Sequence, residues 1–334
     1  MAEVPGPTGP HPSDATPRLD DAWILQRRGS RNIVDPHRPY ACSVEPERGA
    51  GGAVEDVATI FITNRECPFR CLMCDLWKNT TEERVPDGAV AGQIEWALTR
   101  LPAARHLKLY NSGNFFDEQA VPRTDRARIA ELVDGFETVV VECHPKLVDR
   151  RCVEFAASIR PRLEVAMGLE TVDPEVLPRL NKRMTLADFD RSAAFLCEHG
   201  IAVRTFILVK TPFQSEAAGI KWACRSVDHA FDAGASCCVV IPTRAGNGAM
   251  EWLQRRGDFS PPSIRSLERV LAYGVGLRCG RVFSDLWDIE RLLVCGRCAT
   301  RRVDRMREMN RTQRIPPEVT CQCPEASVTG AARG

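Results

Sequence analysis

Residues 58–74 of the 334-residue chain read ATIFITNRECPFRCLMC, a predicted strand followed by a loop with three cysteines. The β-branched and apolar run 58–64 is typical of a buried strand. Cys67, Cys71 and Cys74 are therefore expected on the loop that leaves the carboxyl end of this strand. Open α/β sheets and barrels place their chemistry at that edge. Three thiolates so close in sequence can converge on one metal centre.

The number of thiols on this loop limits the kind of metal site. A structural zinc site and a ferredoxin-type cluster each need four ligands, whereas the loop supplies three. A 4Fe–4S cluster held by three thiolates leaves one iron without a protein ligand, and that iron could chelate S-adenosylmethionine (SAM). Two alternatives stay open: a zinc site completed by Cys42 or a histidine, and three unrelated buried thiols.

Composition narrows the class of protein. Forty-five Lys and Arg against 44 Asp and Glu give a net charge of +1, so no global electrostatic footprint for nucleic acid exists, although a local basic patch is compatible. No run of eighteen apolar residues and no apolar N-terminal signal segment occur. We therefore expect a cytoplasmic protein with no membrane partner. The 15 cysteines then indicate reduced thiols and metal ligands.

Strands and helices are predicted to alternate from residue 58 onward. The predicted strands are 58–64, 106–110, 138–142, 163–169, 202–210 and 235–241. Such alternation favours a parallel sheet with right-handed crossovers. Six units fall short of a closed eight-unit barrel, so the predicted fold is α/β, an open, partial (β/α)6 TIM-like barrel with a small cysteine-containing C-terminal extension.

The predicted domain organisation follows from this alternation of strands and helices and from the amino-acid composition of the segments around it. The barrel is expected over 58–255. A disordered leader (1–19) and an N-terminal extension (20–57) precede it, and a C-terminal region with cysteine pairs (256–323) and a disordered tail (324–334) follow it.

The C-x3-C-x2-C spacing of the loop resembles the signature of the radical SAM superfamily, including the aromatic Phe69 two residues before the middle cysteine. The resemblance implies a partial barrel in which Cys67, Cys71 and Cys74 hold a 4Fe–4S cluster. It also implies one-electron cleavage of SAM to a 5′-deoxyadenosyl radical that abstracts hydrogen from a substrate. The electron would come from a reductase of the flavodoxin or ferredoxin type.

Turns after the predicted strands resemble the SAM-binding turns of this superfamily. Residues 112–114 stand where a Gly-Gly-Glu turn is usual, without the acidic residue, and 168–171 resemble the turn whose polar residue reaches the ribose. Residues 209–216 resemble a further family turn, with Lys210 and Phe213 in place of glycines. The residues that the resemblance predicts to bind SAM are Ser112, Gly113, Asn114, Glu170, Pro212 and Arg244.

A closer resemblance covers most of residues 40–323. Residues 63–77, 110–117, 141–145 and 246–251 are similar to the radical SAM family that includes the archaeosine-forming enzyme acting on tRNA. In that family the radical cleaves the Cα–N bond of a lysine attached to a 7-substituted deazaguanine and leaves an amidine. The resemblance implies tRNA-base modification and tRNA as a partner.

Two further groups of residues are candidates for function. Glu142 and His144 end the third predicted strand and could orient substrate as catalytic residues, or could be structural. Four cysteines near the C-terminus form a C-x2-C…C-x-C pattern that fits tetrahedral zinc, an auxiliary iron–sulfur cluster or unmetallated thiols. We call them the C-terminal cysteines: Cys295, Cys298, Cys321 and Cys323.

The basic stretch between these cysteine pairs could contact RNA. Its arginines would neutralise phosphates if they shared a helix face, whereas a solvated face is the simpler interpretation. They are Arg301, Arg302, Arg305, Arg307, Arg311 and Arg314. The alternative function is therefore a non-catalytic zinc- or RNA-binding protein on a degenerate barrel.

Overall fold

Eight strands form one sheet in the order of the sequence in the computed structural model, which describes residues 17–323. Most of the predicted leader and all of the predicted tail lie outside the described residues. The first two strands pair antiparallel, and every later neighbouring pair is parallel. The strands are β1 (Ala41–Arg48), β2 (Val54–Phe61), β3 (His106–Tyr110), β4 (Thr138–Glu142), β5 (Arg162–Glu170), β6 (Ala202–Val209), β7 (Cys237–Pro242) and β8 (Arg281–Ser284).

Helices alternate with the parallel strands, as a right-handed βαβ succession requires. Among the described residues they are α1 (Asp21–Arg27), α2 (Ala89–Leu98), α3 (Arg126–Val133), α4 (Arg150–Ser158), α5 (Leu186–Glu198), α6 (Glu216–Asp232), α7 (Ala249–Arg256), α8 (Ile264–Leu277) and α9 (Ala299–Thr312). Five short 3-10 helices lie between them: Leu76–Asn79, Arg123–Asp125, Pro145–Leu147, Leu177–Leu180 and Ile289–Leu292. None of the described helices is long and apolar enough to cross a membrane.

The predicted partial TIM-like barrel is confirmed, and the sheet has two strands more than the six predicted. β1 was predicted as irregular because it mixes apolar with charged residues and contains Pro46, which an edge strand tolerates. β8 is only four residues long, too short for its pattern to stand out. Because these strands lie outside residues 58–255, the sheet crosses both predicted barrel boundaries.

Buried ion pairs show that the sheet curls into a barrel. β1 and β6 are five strands apart, which would be about 24 Å in a flat sheet. Arg204 of β6 nevertheless lies 2.9 Å from Glu47 of β1. Arg204 also pairs with Glu164 of β5, which lies 2.8 Å from Arg281 of β8. The charged side chains therefore join both edge strands through the barrel interior.

Helix α9 covers the edge of the sheet. It packs against β8 and also contacts β1. The Gln313 amide accepts from the Val282 N–H at 2.7 Å and donates to the Val282 carbonyl at 2.8 Å. The Asn310 amide makes the same two contacts with Ser284, at 2.8 and 2.9 Å. These side chains replace the neighbouring strand that β8 lacks.

Two apolar cores divide the packing. The larger core lies between the sheet and its helices, and parallel strands covered on both faces account for its size. The smaller core lies beneath the cysteine loop, where α1 and α7 meet Leu72. Its buried members are Trp23, Ile24, Leu72, Ala249, Met250, Leu253 and Phe259.

Candidate functional site

The three cysteines of residues 67–74, the cysteine loop, follow β2 at the carboxyl edge of the barrel, as predicted. Burial raises the pKa of Cys67 to about 11 and those of Cys71 and Cys74 to about 12, and each thiol raises the pKa of another. The three side chains therefore face one region. Metal binding would displace their protons.

The number of thiols in this group fits a cluster with an open iron. Structural zinc sites and ferredoxin-type clusters take four protein ligands, whereas the cysteine loop supplies three. Within the described part of the chain, the three sulfurs do not all lie within 4.8 Å of one another, unlike those of the C-terminal cysteines. The donor set therefore fits a 4Fe–4S cluster with three protein ligands.

Hydrogen bonds from side-chain amides hold the backbone of the cysteine loop. Asn247, in the turn after β7, donates to the carbonyls of Leu72 at 2.7 Å and Cys74 at 3.1 Å. Asn181 donates to the Arg70 carbonyl at 2.8 Å. The Leu72 side chain is completely buried in the smaller core. The cysteine loop is thus fixed by the packing of Leu72 and by the side-chain amides of Asn181 and Asn247.

An ion-pair cluster anchors the start of the loop. The Glu66 carboxylate lies 2.6 Å from Arg28 and 3.1 Å from Arg70, and it also pairs with Arg31. Burial alone would raise the pKa of Glu66, but hydrogen bonds from Arg28 and Arg31 lower it. Three guanidiniums on one carboxylate leave an excess of positive charge beside the thiols. Such an excess favours an anionic thiolate site.

The predicted SAM-binding turn after β3 touches the cysteine loop directly. The Asn114 amide donates to the Cys67 sulfur at 3.1 Å. A Cβ on Gly113 would lie 3.0 Å from the Cys67 Cβ, so only glycine lets the turn approach this closely without displacement. Ser112, with a φ of 53°, contacts the Tyr40 hydroxyl at 3.2 Å. The structure thus brings Gly113 and Asn114 to Cys67, with Ser112 next to them in the same turn.

Glu142 supports this turn from beneath. Its carboxylate accepts from the Asn111 N–H at 2.8 Å. Burial raises the pKa of Glu142 to about 7, against the opposing effect of the amides of Asn111, Ser112 and Gly113. The geometry favours a positioning role for Glu142 in place of contact with a substrate.

His144 is also committed to protein contacts. Its ring stacks on Phe69 with centroids 3.6 Å apart. Nε2 lies 3.0 Å from the Lys182 carbonyl, and Nδ1 accepts from the Lys146 N–H at 3.2 Å. Burial lowers its pKa to about 3, which keeps the imidazole neutral. His144 therefore positions the cysteine loop, since both ring nitrogens have partners.

Glu170 ends β5 beside the thiols and is paired with a buried cation. Its carboxylate accepts from the Lys182 ammonium at 2.7 Å. Burial alone would lower the pKa of Lys182, but the Glu170 carboxylate and the Cys71 and Cys67 thiols raise it. A side chain on Gly168 would meet the ends of the Glu170 and Lys182 side chains and displace this pair. A fixed positive charge therefore lies next to two of the three cysteines.

Pro212 and Arg244 lie on neighbouring strand ends, at β6 and β7. Lys210 and Phe213, on either side of the Pro212 turn, have φ values of 58° and 70°, the left-handed region that the family's glycines favour. Arg244 donates to Asp285 at 2.8 Å and to the Trp287 carbonyl, both after β8. The Arg244 side chain is thus directed toward the β8 turn.

Lys182, Asn181, Asn247 and Tyr40 were not predicted as site residues. Asn247 lies in the family-like stretch 246–251, and Asn181 and Lys182 follow β5, so their position after strand ends was the available signal. Tyr40 precedes β1, where the sequence pattern gave no sign of the site.

We expect Asn247→Ala to loosen the cysteine loop, because it removes two hydrogen bonds to carbonyls and the contact of Asn247 with the Met250 N–H at 2.9 Å. Each such bond contributes about 1 kcal/mol. Iron bound per chain after anaerobic reconstitution should fall, and amide exchange at residues 71–74 should rise. Asn32→Ala, which removes a surface amide pair with Asn79, is the matched control. Equal iron binding in both variants would contradict this role.

Glu142→Gln should remove a pH dependence of stability. A carboxyl whose folded pKa exceeds its unfolded value stabilises the protein below pH 4.5, and this contribution is lost as pH rises through about 7. The full loss is on the order of 3 kcal/mol. Between pH 5 and pH 8 the thermal midpoint of the wild type should fall more than that of Glu142→Gln. Glu45→Gln, at an exposed position of β1, should behave as the wild type. Identical dependence of the thermal midpoint on pH in all three chains would refute a protonated Glu142 beneath the turn.

Comparison with known proteins gives distant relatives. No protein-family model matches the chain. An uncharacterized protein of Methanocaldococcus jannaschii is 21% identical over 257 residues, covering 72% of this chain and 70% of that protein. Archaeosine synthase subunit beta of Thermococcus kodakarensis is 27% identical, covering 61% of this chain and 65% of that protein. The Methanosarcina acetivorans subunit is 26% identical, with 60% of each chain covered. The match thus spans less than two thirds of either archaeosine synthase subunit.

Solved structures with a similar fold include methylornithine synthase (PylB), with a TM-score of 0.49 and 12% identity over 66% of this chain and 62% of that chain. Coproporphyrinogen III oxidase (HemN) from Escherichia coli, a radical SAM enzyme, has a TM-score of 0.43 and 14% identity, covering 64% of this chain and 50% of that chain. By its cysteine loop, its partial barrel and its curated relatives, the chain is similar to a radical SAM family of the archaeosine type.

Proposed function

We propose that the chain is a cytoplasmic enzyme that cleaves SAM at a 4Fe–4S cluster held by Cys67, Cys71 and Cys74. The observation that carries the proposal is the arrangement of the three thiols. All three follow β2 on one loop at the carboxyl edge of the barrel, and the Cys67 sulfur accepts a hydrogen bond from the Asn114 amide at 3.1 Å.

The cofactors would supply the reactivity and the chain would supply position. When bound, the cluster would supply the one-electron reduction that cleavage of SAM and hydrogen abstraction require. Residues 112–114 lie against Cys67 and would hold the amino group of SAM through backbone carbonyls and Asn114. Glu170, on the neighbouring side, would reach the ribose, with Lys182 fixing its carboxylate. Holding reactants and excluding water is the protein's contribution in such chemistry.

The proposed roles of Pro212 and Arg244 rest on their strand ends. The Pro212 turn has the left-handed backbone at Lys210 and Phe213 that the family's glycines favour, so the main chain can approach a cofactor despite the substitutions. Arg244 would serve from the next strand end, where it is already oriented by Asp285.

As substrate we propose a tRNA base of the archaeosine type, supported by the two relatives named archaeosine synthase subunit beta. The arginines between 301 and 314 do not form a single RNA-binding face. Arg302 and Arg305 are buried and pair with Glu268. The exposed arginines are Arg301, Arg307, Arg311 and Arg314. A flavodoxin- or ferredoxin-type reductase is the proposed electron donor.

Cys71→Ala should abolish 5′-deoxyadenosine formation while the fold is retained. Both chains would be reconstituted anaerobically and assayed with SAM and dithionite, with iron counted and circular dichroism recorded. Cys279→Ala, which removes an exposed cysteine outside the loop, should keep wild-type activity. Retained cleavage in Cys71→Ala would overturn the cluster assignment. A colourless wild type without iron would favour the non-catalytic zinc- or RNA-binding protein.

The substrate is tested with tRNA that carries a lysine attached to its 7-substituted deazaguanine. The reconstituted wild type should convert this nucleoside to the amidine, measured by mass spectrometry of the digested tRNA, with one 5′-deoxyadenosine formed per turnover if SAM is consumed. The same tRNA without the lysine is the control. Cleavage of SAM without nucleoside conversion would reject the archaeosine-type substrate and leave the SAM chemistry standing.

A further inference from the structure

The four C-terminal cysteines converge at the start of α9. Cys295 and Cys298 form a turn in which the N–H groups of Cys298 and Ala299 donate to the Cys295 carbonyl, at 3.3 and 3.0 Å. The chain reverses direction after α9 at Gln313, whose φ is 53°. Residues 314–323 then bring Cys321 and Cys323 back to this turn. All four sulfurs lie within 4.8 Å of one another.

The distances between these sulfurs match a single tetrahedral ion. Zinc–thiolate bonds of about 2.3 Å place the sulfurs of a tetrahedral site about 3.8 Å apart. The Cys295 and Cys321 sulfurs are 4.0 Å apart, and those of Cys298 and Cys323 are 3.7 Å apart. Disulfide bonds would need about 2.05 Å. A cubane would hold each thiolate on a separate iron and spread them farther.

We propose that the C-terminal cysteines bind one structural zinc ion. All four ligands come from the protein, which closes the coordination sphere and leaves no position for a substrate or water. Zinc suits a site of four thiolates without redox function, because thiolates select it and its filled d shell imposes no other geometry.

The charges around the cysteines support a bound metal–thiolate complex. Glu268 is buried and pairs with Arg305 at 2.9 Å and with Arg302, which leaves one positive charge in excess in this buried group. The Arg302 guanidinium also lies beside the Cys298 thiol. Zinc with four thiolates carries a charge of −2. This negative charge would be partly neutralised by the excess positive charge, since buried charges need partners.

Arg265 supplies a further positive charge to the complex. It donates to the Cys323 sulfur at 2.7 Å and to the carbonyls of Cys321 at 3.0 Å and Cys323 at 3.1 Å. Such contacts orient metal ligands and are typical of built metal sites. With Arg302 on Cys298, each cysteine pair therefore has one guanidinium beside a sulfur.

The zinc would hold one wall of a cavity that has a volume of about 1010 Å³ and lies next to the Pro212 turn. Arg302, Arg305 and Val319 line this wall. Residues 314–323 are bound to α9 by two hydrogen bonds. The Val319 carbonyl accepts from Arg302 at 2.7 Å, and the Pro316 carbonyl accepts from Arg305 at 3.0 Å. A zinc ion that links residues 321–323 to the start of α9 would therefore fix both the cavity wall and the helix that covers β8.

The test is a metal count on the full chain, independent of SAM cleavage. The wild type should contain about one zinc per chain, and Cys71→Ala should keep it, since the cysteine loop is separate. Cys321→Ser combined with Cys323→Ser should lose the zinc and keep iron at the cysteine loop, while Cys279→Ser should lose neither. Hydrogen exchange at residues 313–323 should rise only in the double variant.

Arg265→Gln provides a variant that leaves all four ligands in place. Loss of its contacts should weaken zinc binding in a chelator competition by about 10-fold, the lower end of what outer-shell partners usually contribute. A folded wild type without zinc, with about eight irons, or with these cysteines in disulfide bonds by mass spectrometry would overturn the proposal. So would zinc retained in the double variant. If the double variant does not fold, cobalt substitution of the wild type decides, since a tetrahedral thiolate site gives intense visible bands and other sites do not.

Discussion

The fixed backbone of the cysteine loop is the constraint on which the rest of the site depends. The loop has no regular secondary structure, so its carbonyls need partners from elsewhere. Asn247 and Asn181 supply them from two different strand ends. Leu72 secures the same loop by burial in the smaller core. Three thiols are thereby held at the barrel edge by contacts that only the assembled barrel can make.

Burial of charge at this edge follows one pattern. Glu66 gathers three arginines at the start of the loop, and Lys182 pairs with Glu170 at the next thiol. Each group is paired, as buried charges must be, and in each group a cation lies near a thiol of the loop. Glu142 and His144 belong to the same framework. They fix the turn and the loop, which accounts for their position beside the site.

The C-terminal segment completes the barrel in a different way. The side chains of Asn310 and Gln313 pair with the free edge of β8, and α9 reaches β1 on the other side of the opening. The segment thus contacts both edge strands of the eight-stranded sheet. A zinc ion at its base would make this closure less dependent on the short β8 pairing, since metal binding adds free energy to folding.

The sequence alone determined the local features: the cysteine spacing, the six apolar strands, the alternation that makes the sheet parallel, and the cysteine pairs near the C-terminus. These depend on neighbours in the chain, and their patterns are visible in one dimension. β1 and β8 were missed because a charged edge strand and a four-residue strand carry almost no periodic signal. Only the tertiary structure decided which residues face the thiols, since Lys182, Asn247 and Tyr40 come from distant strand ends. It also decided that Arg302 and Arg305 are buried. Their ion-pair partner, Glu268, lies more than thirty residues earlier in the chain, so the sequence pattern around the arginines gave no sign of it.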